Sequence, residues 1–388
     1  MPEREIDKAL EAAALMDAFA DRTGLDGPKQ PQRYLWTDAF AVCNFLAIHQ
    51  HTAADEYLDR ALNLVEQVHH TLGRHRADDR RSGWISGLDE AEGELHPTIG
   101  GLRIGKPHPE RSPDEPFDAT REWDRDGQYF HYLTKWMKAL LRMGRSTQDA
   151  TFVRWAAELA ATAYERFTYP VGRTRRMYWK MSIDLSRPLV PSMGQHDPLD
   201  GFITFAEIYA VQKEMGDVTV DLSGEIAEMA RMCMETRFAT DDPLGIGGLL
   251  TDVYEAAELL ARDHLQPAEL FDVLIDDAAA SLASYARTFA ETVPARRRLP
   301  FRELGLSIGL AAVERLPGGA SEKTPSRPAL RQWERHQDEF RRHAGLRERI
   351  ERFWRDPQHR TSDTWLAHED INAVMLATSL KPDGYLAI

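Results

Sequence analysis

Acidic, aromatic and imidazole side chains recur together at a few places in this chain. Trp36-Thr37-Asp38, Glu122-Trp123-Asp124-Arg125-Asp126, His196-Asp197-Pro198-Leu199-Asp200, Arg302-Glu303 and His368-Glu369-Asp370 each open an apolar run, and Asp252 falls in the first turns of another. Carboxylates gathered at close range cannot all ionise without cost, so one should keep its proton and act as an acid while another acts as a base. Asp124 as acid and Asp197 as base is the expected pair, with Asp126, Asp38, Asp200 and Glu369 as further candidates. Helix capping is the competing explanation, because an Asp at an N-cap stabilises a helix by about 0.5–2 kcal/mol. It accounts for any one of these acids singly, but a ring of them at one end is more than capping requires.

Aromatic residues share the same segments. Trp36, Trp84, Trp123 and Trp179 could stack on the C–H faces of sugar rings while His131, Lys180, His196 and His368 reach hydroxyls, a mixture of apolar wall and few polar groups typical of ligand pockets. Tyr129, Phe202 and Trp136 read instead as core. The densest stretches are 121–135 (REWDRDGQYFHYLTK), where His131 and Lys135 are i, i+4 neighbours, and 175–201, a long loop that ends in His196, Asp197 and Asp200.

Helices must position these groups. Residues 54–68 place Leu58, Ala61, Leu62 and Val65 on one face of a helix, whereas 38–48 (DAFAVCNFLAI) is apolar nearly all round, as in a helix with neighbours on every side. The two types alternate. Amphipathic segments near 5–19, 54–72, 150–166, 222–237, 268–290 and 331–354 are followed by apolar ones near 37–48, 127–143, 200–212, 247–261, 303–314 and 369–380. Strand signals are scarce. Six outer–inner hairpins predict an all-α chain closed as one (α/α)6 barrel over residues 1–388, the second helix of each pair lining it. Long loops 73–126 and 167–199 lead into inner helices and gather at their N-terminal ends, over the mouth. The segment 315–330, rich in Pro, Gly and Ser, reads as a surface insertion at the opposite end.

The chain has 388 residues, 62 Asp+Glu against 48 Lys+Arg and a net charge of −14, a balance that argues against a nucleic-acid or acidic-membrane partner. MPEREIDKAL lacks the basic start and apolar run of a signal peptide, and Cys43 and Cys233 cannot build a disulfide scaffold, so a cytoplasmic location is expected. Gly100 to Lys106 (GGLRIGK) fits the phosphate-loop spacing, but Pro107 replaces the Ser or Thr that holds Mg²⁺. His69, His70 and His75 lack zinc-site spacing. No metal and no cofactor is expected, and the partner expected is a small carbohydrate.

This pattern resembles the six-hairpin glycosidase superfamily of α/α barrels, which includes glycoside hydrolases, unsaturated glucuronyl hydrolases and the N-acylglucosamine 2-epimerase group. Residues 34–62 look like its inner helix, turn and outer helix unit, and Trp123-Asp124-Arg125-Asp126-Gly127 is similar to the start of a catalytic inner helix in some of its hydrolases. The resemblance implies a carbohydrate-active barrel. A glycoside hydrolase would set two carboxyls roughly 6.5–9.5 Å apart if inverting, or about 5–5.5 Å if retaining. An epimerase would make His196 and His368 the pair to test, and a non-catalytic sugar-binding barrel would need neither.

Overall fold

A computed structural model of the chain describes residues 2–267, 269–316 and 328–388. Outer α1 (Pro2–Arg22) leads to inner α2 (Leu35–Thr52), then outer α3 (Asp55–Leu72). A long loop carrying short α4 (Glu90–Leu95), α5 (Ala119–Trp123) and strand β1 (Gln128–Tyr129) precedes inner α6 (Phe130–Thr147) and outer α7 (Ala150–Phe167). Strands β2 (Thr168–Val171), β3 (Thr174–Met177), β4 (Lys180–Met181) and β5 (Pro188–Val190) occupy the next loop. Inner α8 (Asp197–Met215), outer α9 (Ser223–Met234), inner α10 (Pro243–Ala261), outer α11 (Glu269–Thr288) and inner α12 (Pro300–Val313) follow. The last outer layer is split into α13 (Pro328–His343) and α14 (Gly345–Arg355); short α15 (Asp363–Leu366), inner α16 (Glu369–Leu380) and α17 (Asp383–Leu386) complete the chain.

The inner helices close a ring: α2 packs on α6, α6 on α8, α8 on α10, α10 on α12, α12 on α16, and α16 back on α2. Around them α1 lies against α16 and α2, α7 against α6 and α8, and α14 against α12 and α16. The fold is an all-α (α/α)6 barrel. α2 buries nearly every residue from Leu35 to Ile48, which explains its apolar composition all round. Outer α3 buries Tyr57, Ala61, Leu64, Val65 and Val68, while Leu62 stays 37% exposed. The buried stripe is thus rotated from the one expected, because Tyr57 and Val68 extend it on one side and leave Leu62 outside. Most of the insertion expected at 315–330 lies outside the described residues.

On one side the ring is drawn tight by glycine. A Cβ on Gly247 of α10 would stand 2.1 Å from the Gly305 carbonyl oxygen of α12, and one on Gly309 would stand 2.3 Å from the Gly247 carbonyl oxygen. The far end is closed by α17, whose Tyr385 ring stacks on Phe40 with centroids 4.5 Å apart, while the Arg142 guanidinium donates to the Tyr385 carbonyl at 3.3 Å. At the N-terminal end the two long loops are sewn together by an antiparallel sheet, β1–β4–β5. That sheet went unread in the sequence because its strands are only two or three residues long.

The glycine contacts predict that Gly247→Ala costs about 1–3 kcal/mol or more in urea unfolding, by forcing α10 from α12. Gly248→Ala, whose added methyl meets nothing within 4 Å, should be neutral or stabilising by up to about 1 kcal/mol. Equal effects at the two positions would contradict a backbone-to-backbone contact.

Candidate active site

One helix carries a stripe of basic side chains into the barrel. His131, Lys135, Lys138 and Arg142 of α6 follow each other at i, i+4, i+7 and i+11, so they form one stripe, and the stripe faces acids on α8 and α10. Lowest lie two ion pairs: Arg142 with Glu207, and Lys138 with Glu255 at 2.6 Å, all four side chains at most 2% exposed. Above them the Lys135 ammonium donates to Asp200 at 3.0 Å. Asp252 of α10 joins this layer.

Three cations thus meet four carboxylates, Asp200, Glu207, Asp252 and Glu255, in a buried column. A buried charge without a partner is costly, so one carboxyl should hold a proton. Burial and the neighbouring Asp200 anion push Asp252 up to about 8, against the pull of Lys138 and Lys135. Burial also raises Asp200, but Lys135 and Lys138 outweigh it and leave Asp200 below the usual carboxylate range. Asp252 is the tenth residue of α10, and not in its first turns as the sequence suggested.

The top rung differs from those below. His131 Nδ1 and Asp197 Oδ1 are 3.5 Å apart, and both His131 Nδ1 and Asp197 Oδ2 are buried without a hydrogen-bond partner. Gly194 lies directly over the carboxylate, where a Cβ would be 2.5 Å from Oδ2. Aromatic rings enclose the imidazole. Trp179 lies nearly parallel to it at 6.3 Å, Tyr132 meets it edge-on at 5.0 Å, and Tyr129 and Trp36 flank it at 5.3 and 6.4 Å. The wall continues through the Tyr34 and Tyr132 hydroxyls, 2.7 Å apart, to Lys106, whose ammonium stands 5.4 Å from the Tyr34 ring and 5.3 Å from Trp123. Lys106 makes no ion pair among the described residues; burial lowers its pKa, with the Asp124 charge acting the other way.

Several residues expected at the mouth have other duties. Asp126 is fully buried and accepts from Arg103 at 2.9 Å, Arg76 at 3.2 Å and the backbone N–H groups of Gly105 and Gly127, so it anchors the loop. Lys180 is consumed by Glu122 at 2.9 Å and by the carbonyls of Glu122 and Arg125 at 2.8 Å, and it is a strut of the sheet and not a substrate ligand. Trp84 is 2% exposed, packed over Gly93 beside His70 and Arg74, away from the His131 cluster. His196 Nε2 bonds the Phe238 carbonyl at 2.8 Å. Asp38 is buried against Arg33 at 3.4 Å and accepts from the Tyr34 N–H; burial pushes it up to about 6 despite Arg33. Glu369 is half-exposed beside Arg22 at 3.6 Å, and His368 packs edge-on to Phe301. Asp124 and Trp123 are exposed at the lip.

Capping explains only part of the mouth acids. Asp89, Asp118 and Asp149 cap α4, α5 and α7 with their side chains, whereas no N-cap residue of the six inner helices caps with its own side chain; Asp38 alone of the expected acids reaches back to an inner-helix N-cap, accepting from the Tyr34 N–H. Sequence reasoning counted Asp252 among the acids at the helix starts without singling it out, and it did not name Tyr34 or Tyr132. The 131, 135, 138, 142 spacing was the signal available. Among the described residues no group of three or more His, Cys, Asp or Glu side chains is arranged to hold a metal ion, and burial raises the thiol pKa of Cys43 to about 12.

No family model and no curated protein matches the chain. Solved structures do. The chain is similar to an α-mannanase of Bacteroides thetaiotaomicron, with 10% identity, 98% of this chain and 96% of that one covered, and a TM-score of 0.55. It is similar to an inactive α-1,6-mannanase variant of Salegentibacter sp. in complex with α-1,6-mannotriose, at 10% identity, coverage of 98% and 99%, and TM-score 0.51. It is also similar to a cellobiose 2-epimerase of Spirochaeta thermophila, at 14% identity, coverage of 98% of both chains, and TM-score 0.52. All share the six-hairpin barrel fold with this chain.

The proton on Asp252 gives stability a pH dependence. The folded chain holds it up to about pH 8, whereas an ordinary Asp releases it near 3.8, so stability present below about pH 4 is lost as the pH rises through about 8. Asp252→Asn mimics the protonated form. Its melting temperature should fall less than that of the wild type between pH 4 and 9, and parallel curves for the two proteins would contradict a protonated Asp252.

Proposed function

We propose that this chain is a carbohydrate-active enzyme that hydrolyses a glycosidic bond at the mouth of the barrel, with Asp197 as base and Asp124 as acid. The observation that carries the reading is Asp197: a buried carboxylate with one oxygen unclaimed by the protein, beside His131 and under a wall of tryptophan and tyrosine. Elimination supports the pair. The oxygens of Asp126 are taken by two arginines, Asp38 by Arg33 and the Tyr34 N–H, and Asp200 by Lys135. Glu369, half-exposed beside Arg22, packs with α1 away from His131, which leaves Asp124, exposed on the lip next to Trp123, and Asp197 with oxygens to offer beside the aromatic wall. In this chemistry Asp197 would draw a proton from water while Asp124 protonates the leaving oxygen. The rings would hold the sugar by its apolar faces. That mannanases share the fold, one of them in complex with α-1,6-mannotriose, favours a hexose oligosaccharide as substrate.

A second reading, epimerisation of a reducing sugar, is favoured by His131 itself. An imidazole held 3.5 Å from a carboxylate and stacked beside Trp179 is suited to take a proton next to a carbonyl. His131 then replaces the His196 and His368 pair, because His196 is tied to the Phe238 carbonyl.

Asp197→Asn and Asp124→Asn should each lower turnover of aryl glycosides or α-1,6-mannotriose by about 10²–10⁴-fold with the circular dichroism spectrum unchanged. Undiminished turnover in Asp197→Asn would remove it from the mechanism. If free cellobiose or mannose instead takes up solvent deuterium without bond cleavage, and His131→Ala abolishes that exchange, the epimerase reading replaces the hydrolase one.

A further inference from the structure

A cavity opens at the same end of the barrel. It occupies about 450 Å³ between the end of α1 and the N-terminal ends of α2 and α16, a size within the ordinary range of ligand pockets. Three residues of its lining carry buried polar atoms with no hydrogen-bond partner: Arg22 Nη2, Arg33 Nε and Thr37 Oγ1. The Arg33 side chain is 0% exposed and Thr37 is 3% exposed. Buried donors are seldom left unbonded, since each costs its full desolvation, and three around one cavity indicate a ligand that brings oxygen atoms.

Charge decides which oxygens. The two guanidiniums are already matched by Asp38 at 3.4 Å, Asp370 at 2.8 Å and Glu369 at 3.6 Å. Two cations against three carboxylates leave no positive field for phosphate or carboxylate, whereas hydroxyl groups can accept from the free N–H groups and donate to the acids. Phe19 and Leu366 add apolar surface to the same cavity, and Leu366 is 55% exposed. Tyr34 lines the cavity, and its hydroxyl lies 2.7 Å from that of Tyr132, the ring packed edge-on against His131, so one residue separates the cavity from the aromatic wall.

We propose that this cavity is a subsite for a neutral sugar unit, so that the chain acts on an oligosaccharide whose reacting unit lies at Asp197 and whose next unit is gripped by Thr37, Arg33 and Arg22. The inference rests on the carbohydrate reading above.

Calorimetric titration of wild type, Thr37→Val and Arg22→Ala with α-1,6-mannotriose, cellotriose, the corresponding methyl glycosides and inorganic phosphate tests it. Thr37→Val removes an oxygen that bonds nothing within the protein, so folding is not at stake. The expected result is that a trisaccharide binds, that phosphate does not compete, and that the ratio of trisaccharide to methyl glycoside affinity drops roughly two- to ten-fold in each variant, the worth of about one net hydrogen bond. Trisaccharide affinity unchanged in both variants, or competition by phosphate, overturns the subsite and leaves the hydrolase reading standing. Failure of wild type to bind any of these sugars overturns both.

Discussion

The interior of this barrel is organised by a shortage of positive charge. Lys135, Lys138 and Arg142 run down one face of α6 against Asp200, Glu207, Asp252 and Glu255, and no other Lys or Arg forms an ion pair with these acids among the described residues. Because burying an unmatched charge is far costlier than protonating a carboxyl, the excess acid is absorbed as a proton on Asp252. What results is a neutral, cross-linked floor joining α6, α8 and α10. Such a column adds little net stability over an apolar one, and its value lies in fixing which faces of three helices turn inward.

That floor sets the character of the rung above it. His131 and Asp197 stand one turn above Lys135 and Asp200 on the same two helices, so their direction into the mouth follows from the ion pairs beneath. Glu255 Oε1 in the floor is also buried without a hydrogen-bond partner, but only in the top rung do both members keep an unbonded atom. The loops complete the enclosure. Asp126 ties the first long loop to itself and Lys180 ties the second to the first, so that the sheet holds Tyr129 and Trp179 around the imidazole, with Trp123 beside Trp179.

The architecture was legible because it depends on local periodicity. A run such as 38–48, apolar on all sides, is suited to a helix surrounded by others, and six alternations of that kind with amphipathic segments leave few arrangements besides a ring. Side-chain duties were less legible because they depend on partners distant in sequence. Lys180 is taken by Glu122, 58 residues away, and Asp126 by Arg76 and Arg103, so their charges read as available when they are spent. Asp252 could not be picked out without knowing that α6 and α8 bring Lys135, Lys138 and Asp200 beside it. His131 and Asp197 were nominated separately, and only the packing of α6 on α8 makes them a pair.

The protonation state of Asp252 tests the charge shortage most directly. Carboxyl carbon NMR of the intact protein labelled at aspartate, with the Asp252 signal identified by its loss in Asp252→Asn, measures it. A resonance of a protonated carboxyl at pH 7 that shifts to the ionised position near pH 8 is the predicted result. An Asp252 signal already at the ionised position by pH 6 would mean that the column carries an unbalanced negative charge, and a neutral floor could then not be what orients His131 and Asp197 into the mouth.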